Sequence, residues 1–503
     1  MKLKTLFAVL LMTFIAVGCS EQKPNITMIE AVKAGNEKVV KYYIKHGEMV
    51  NQKDEEGTPL IMLAAQKGNT AIVKRLIDAG ADVNAKDKYG YTVIMKAGEA
   101  GHPDVVNTLI KAGSDVNIEN DGFTALGLAL KSDNSEIVRI LIRAGANVNA
   151  LDVSDRTALM VASSQGYTEI VKILIEAGAK VDIENDVGMT ALMEACRYGH
   201  VEIVNRLIDA GANVNHKNRR SETTLIYASS NGNVDIINTL IKLGVDVNAK
   251  EALGYTALMK ASQTNRIDAI NVLIKAGADV DVKSKLGYTA LMLASLNKHL
   301  EAVKALIEAG AKDLDAVCDE GNTALMLASF SYPKAGRHRV LLDAFSRFEG
   351  GNVEIVDALI KAGANVNMRT KNGTALMLAS RFGEKDVVNK LIQSGAKVNV
   401  RVNFEMSAKT KGSFKLTPLK CAAIDGNTEI VKILIKAGAK LRFDDIECTA
   451  LGMAEYYGHN DVVKILKQAG ARDGEWDDGS CKVETYETLG RYKYKNDYIF
   501  QWE

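Results

Sequence analysis

The chain has 503 residues, with 63 Lys and Arg set against 62 Asp and Glu. That balance removes the electrostatic case for nucleic acid as the main partner. The length exceeds the roughly 250 to 300 residues that one compact core supports, so a single undivided globular domain is excluded.

At the amino terminus Lys2 and Lys4 precede the apolar run Leu6 to Val17, too short to span about 30 Å of hydrocarbon as a stable helix. It reads as a secretory signal over residues 1–18. The run ends in Ala16-Val17-Gly18-Cys19-Ser20, which resembles a bacterial lipobox, with Ala16 where that pattern prefers Leu. The resemblance implies acylation of Cys19, with residues 19–24 as lipid anchor and tether, and each buried methylene adds about 0.8 kcal/mol to such an anchor. Ser20 is similar to the residue after Cys in lipoproteins sent on to an outer membrane. The expected address is the bacterial cell envelope, with periplasmic and surface faces both open.

Residues 25–57 carry a partial unit, including Ala31, Gly35 and the run Val39 to Ile44, expected to cap the array that follows. From residue 58 a grammar repeats about every 33 residues, as in Gly254-Tyr255-Thr256-Ala257-Leu258-Met259-Lys260-Ala261-Ser262. Its Thr falls at 58, 92, 124, 157, 190, 223, 256, 289, 323, 374, 417 and 449. Each Thr is expected to cap a first helix. Gly68, Gly101, Gly166, Gly199, Gly232, Gly383, Gly426 and Gly458 should end that helix in the left-handed region; Asp133, Asn265 and Lys298 replace the glycine, and Lys298 implies a strained or altered turn. A second apolar run such as Ile236 to Leu243 forms the second helix, and segments like Ala79-Gly80-Ala81-Asp82-Val83-Asn84 supply a stop and a hairpin arm.

This pattern resembles the ankyrin repeat, whose Thr-Pro-Leu-His-x-Ala signature appears as Thr58-Pro59-Leu60-Ile61-Met62-Leu63-Ala64 and more often as Thr-Ala-Leu-Met-x-x-Ala. The fold class is therefore an all-α repeat solenoid over 58–472, helix-turn-helix units joined by β-hairpin links. Residues 473–503, with Trp476 and Trp502, form a small β-rich aromatic tail or cap. Where the family prefers His, Met95, Met160, Met193, Met259, Met292, Met326 and Met377 form a stripe expected in the core. Insertions fall near 331–350, with an amphipathic stretch Arg337 to Phe348, and at 402–413.

The resemblance implies a protein-binding scaffold with a concave face of hairpin tips and first helices. On it the residues before the capping Thr should project: Tyr91, Phe123, Met189, Tyr255 and Tyr288. Tyr198 and Phe382, near first-helix ends, join the same side. No Gly-rich phosphate loop, His-Glu-x-x-His, Cys-x-x-Cys or Gly-x-Ser-x-Gly occurs, and His102, His200 and His459 recur with the repeat, spaced apart. The expectation is a non-enzyme without cofactor, metal or small-molecule substrate, binding one unidentified protein and a membrane through its lipid. Cys196 and Cys421 are expected as buried small residues, and a Cys448 to Cys481 disulfide is left open. A spacer whose aromatic tail does the binding is the rival; a host-directed effector conflicts with the signal and Cys19.

Overall fold

The computed structural model describes residues 23–330, 350–405, 413–443 and 449–472. The signal, Cys19, nearly all of the 331–350 insertion, Cys448, Cys481 and the tail lie outside them. The described residues hold twenty-six α-helices in thirteen pairs, and one two-stranded sheet. They fall into two compact units, Met1–Asn213 and Val214–Glu503. Within each unit first helices pack on first helices of neighbouring pairs, and second helices on second helices. The core thus runs lengthwise, and it is aliphatic: the Met stripe from Met95 to Met377 is buried throughout.

Each capping Thr from Thr92 to Thr449 accepts the backbone N–H three residues on through its side-chain oxygen. Thr58 departs from expectation. The helix Leu60–Gln66 has Pro59 at its cap, with no side-chain bond, so Thr58 stands one position early, in the place Tyr91 and Tyr255 occupy elsewhere. The spacing of 34 residues from Thr58 to Thr92, against 33 from Gly57 to Gly90, is the trace of that offset. Pro418, by contrast, follows its capping Thr417 inside the first turn, where its missing N–H is harmless. The unit at 25–57 opens on Thr27, whose side chain and Glu30 form a reciprocal capping box around Met28–Lys33.

Two ladders join successive repeats. The first uses the Asn or Asp that ends each hairpin arm. The Asn51 oxygen accepts the Asp82 N–H at 2.9 Å, Asn84 that of Asp115 at 3.0 Å, and Asn248 that of Asp279 at 2.9 Å. Asp182 and Asp315 do the same for Asn213 and Asn365. The Asn248 amide also donates to the Gly277 carbonyl at 3.2 Å. Asn248→Ala removes both bonds and is expected to cost about 1 kcal/mol, while Asn248→Asp keeps the acceptor and costs less. Urea unfolding of the two variants checks that order, and equal losses would assign the ladder no acceptor role.

The second ladder uses the residue after the turn glycine. His102 places Nε2 3.1 Å from the Gln66 carbonyl, His200 3.1 Å from Ser164 and His459 2.9 Å from Ile424. Each ring thus serves an otherwise unpaired carbonyl at the end of the preceding first helix. Their recurrence is structural, and among the described residues no His, Cys, Asp or Glu cluster could hold a metal.

The long link resolves into strands β1, Val402–Glu405, and β2, Ser413–Leu416, antiparallel with Val402 opposite Leu416. Cys196, Cys318 and Cys421 are free and buried, and burial pushes the Cys421 thiol up to about 12. No described helix is long and apolar enough to cross a membrane.

Candidate protein-binding surface

Hairpin geometry decides which residues the surface offers. In each regular hairpin a short polar side chain organises the turn. The Asp87 carboxylate accepts the N–H groups of Tyr89 and Tyr91 at 2.9 and 3.0 Å, and Asn185 those of Val187 and Met189 at 3.1 and 2.8 Å. A glycine with positive φ then separates an outward residue from an inward one, as Gly90 and Gly254 do.

That alternation corrects the expected aromatic stripe. Tyr255 is 3 % exposed, Tyr288 5 % and Met189 3 %, so these three fill the seam beneath the hairpins and present no surface. The residue after the tip glycine turns back toward the first helix, where an aromatic ring gains more by burial than by exposure. Burial pushes the Tyr255 hydroxyl up to about 12, and the Lys260 ammonium lies 4.8 Å above its ring.

The other expected residues lie differently. Tyr91 and Phe123 are half-buried and adjacent, ring centroids 5.9 Å apart, with the Lys96 ammonium 4.1 Å above Tyr91. Tyr198 is exposed at the end of Ala191–Tyr198, with the Arg197 guanidinium 5.6 Å from its ring. Phe382 is half-buried because it stacks on the buried Phe330 at 4.9 Å. The structure therefore brings together Tyr91 with Phe123, and leaves Tyr198 and Phe382 in separate units.

The exposed apolar residues at the tips are others: Tyr89, Val153 and Val187 in the first unit and Leu253 in the second. Two of them were legible, since Tyr89-Gly90-Tyr91 and Leu253-Gly254-Tyr255 place one apolar residue on each side of a turn glycine, and only one side can face inward. The tips of the second unit are also stitched by backbone. The Ala252 N–H donates to the Arg220 carbonyl at 2.7 Å, Lys285 to Leu253 at 2.8 Å and Asp319 to Leu286 at 3.0 Å.

Glu194 stands apart. It is buried on the first helix of its repeat, and burial holds its carboxyl above the usual range against the pull of Arg197 and Arg156.

No curated protein matches the chain in a sequence comparison. The family profile described as "Ankyrin repeats (3 copies)" matches nine overlapping segments: 9–87, 28–120, 61–152, 118–185, 149–218, 192–284, 258–343, 344–402 and 401–474. With the paired helices, the left-handed turn glycines and the hairpin links, these matches show that the chain belongs to the ankyrin repeat family, whose members serve as scaffolds for protein–protein interaction.

Proposed function

We propose that this chain is an exported scaffold, anchored by a lipid on Cys19 to the bacterial cell envelope, that holds a protein partner against its hairpin and first-helix side. The observation that carries the binding surface is an exposed apolar tip residue beside a filled inward position in each unit, Val187 beside buried Met189 in the first and Leu253 beside buried Tyr255 in the second, with Tyr89 and Val153 exposed on further tips of the first. Side chains with no packing role on a preformed edge are what a contact surface requires. The anchor rests on the signal-like sequence before Cys19, and the outer membrane is the expected site.

A photo-crosslinker at Leu253, compared with one on the outer helix at Lys242, tests the surface in living cells. A dominant captured protein at Leu253, and incorporation of labelled fatty acid that Cys19→Ser abolishes, are the expected results. Both tryptophans lie in 473–503, which favours the rival in which the tail binds and the repeats are a spacer. Deleting 473–503 should leave capture at Leu253 intact; loss of capture would transfer the role to the tail.

A further inference from the structure

Three consecutive hairpins of the second unit share a feature that no consecutive hairpins of the first unit share. Their exposed side chains are cationic: Lys217, Arg219 and Arg220 on one tip, Lys250 on the next, Lys283 and Lys285 on the third. Lys283 is paired with Asp313 at 2.7 Å, whereas the other five carry no ion pair among the described residues. The acidic residues within these tips are withdrawn. Glu222 accepts the Tyr227 hydroxyl at 2.6 Å and the Asn218 amide at 2.8 Å, and Glu251 is buried, accepting the Tyr255 N–H at 3.2 Å. Leu253, 46 % exposed, and the half-buried Leu286 lie between the cations. Asp319 and Glu320 on the next tip end the basic run. In the first unit the tips are of mixed sign, with Glu55, Glu56, Glu119, Asp121, Asp155, Glu184 and Asp186 set against Lys53, Lys86, Lys88 and Arg156.

The backbone bonds from Arg220 to Ala252, Leu253 to Lys285 and Leu286 to Asp319 fix these tips in one row. Buried Tyr255 and Tyr288 fill the space behind it. A basic edge fixed in this way loses little conformational freedom on binding.

We propose that this edge, from Lys217 to Leu286, takes an extended acidic segment of a partner protein, with an acidic side chain at about every third residue. The period follows from two lengths. Stacked helices lie about 8 to 10 Å apart, which sets the spacing of successive tips. An extended chain advances about 3.3 Å per residue, so three residues match one repeat. Residues between the carboxylates then lie against Leu253 and Leu286. Two isolated leucines in a fixed row give too little apolar area to hold a membrane surface, which takes a continuous apolar face. This assignment rests on the protein-binding reading above and names its partner's chemistry.

The test uses the full chain and fluorescent peptides of identical composition: one with Glu at every third position among Gly and Ser, one with the Glu residues in a single block. Fluorescence anisotropy should show the periodic peptide binding more tightly than the blocked one, and less tightly as salt rises. The triple variant Arg219→Glu, Arg220→Glu, Lys285→Glu should bind it about tenfold more weakly, the combined worth of three exposed charge pairs. Charge reversal at Lys53, Lys86 and Lys88 in the first unit should change nothing. Equal binding of both peptides, or equal loss in both triple variants, would overturn the assignment. So would binding confined to anionic vesicles or to a single-stranded oligonucleotide. If the peptides fail while Leu253 still captures a protein, this inference falls and the scaffold reading stands; if both fail, the hairpin edge has no binding role.

Discussion

Gly254→Ala lowers the stability of the second unit by about 2 to 4 kcal/mol, about twice the cost of Gly244→Ala, although both glycines have positive φ, +82° and +78°. The left-handed backbone alone penalises an L-residue by about 1 to 2 kcal/mol, and both variants carry that share. At Gly244 an added methyl meets nothing within 4 Å. At Gly254 it would stand 2.9 Å from the Lys285 nitrogen and 3.2 Å from the Ser284 Cα, atoms of the next hairpin's backbone that cannot swing aside. The clash falls on the Lys285 N–H to Leu253 bond, so hydrogen exchange at Lys285 should accelerate in Gly254→Ala and stay protected in Gly244→Ala. Gly287 and Gly277 repeat the contrast: a methyl at Gly287 approaches the Cys318 Cα to 3.0 Å, and one at Gly277 meets nothing. Equal costs within each pair would show that the tips yield, and would remove the fixed row from the account.

Lys298→Met is expected to destabilise by about 2 to 4 kcal/mol, and more than Lys298→Gly, which inverts the usual order of core truncations. Lys298 occupies a turn position where most repeats carry glycine, and it does adopt the left-handed region, with φ 61°. Its ammonium reaches into the next repeat and donates to the carbonyls of Leu327 at 2.8 Å, Ala328 at 3.1 Å and Phe330 at 2.7 Å. The Leu327 and Ala328 carbonyls end the short helix Ala324–Ala328, and that of Phe330 lies two residues beyond it. Met fills the channel but takes the ammonium donor away from these carbonyls; Ala328 still accepts the Asn352 N–H at 2.9 Å, so the loss falls first on Leu327. Gly relieves the backbone strain and lets water reach the same carbonyls.

The pH dependence has a definite sign. Burial pushes the Lys298 ammonium down to about 8, with Glu384 pulling the other way, against 10.5 in the unfolded chain. Between those values the unfolded chain binds more protons than the folded one, so linkage raises stability with pH in that window. His299, beside it, is also held below its ordinary value by burial, and titrates well outside the same window. Wild type should gain stability relative to Lys298→Met as pH rises from about 8 to 10.5 in chemical unfolding. A flat difference would mean that the amine keeps the same charge in both states.

What the sequence by itself determined was everything periodic. Thr-x-Leu spacing, turn glycines and Met at a constant phase specify paired helices, because capping and left-handed turns depend on residues a few positions apart. The core placement of Met259 and of Cys196 was legible for the same reason. The left-handed turns at Asp133 and Asn265 also follow from local chemistry, and both occur, at φ 46° and 56°. What only the tertiary structure decided was anything set by the neighbouring repeat. Tyr255 and Tyr288 look like contact residues in sequence, yet both are buried in the assembled array, while Leu253 stays outside with its carbonyl bonded to the next hairpin's Lys285 N–H. Lys298 reads as an awkward turn residue, and its partners lie about thirty residues away, at and just beyond the end of the helix that it caps. A repeat's own letters specify its shape, while the exposure of its side chains depends on how closely the next copy stacks, and that distance is a property of the assembled array.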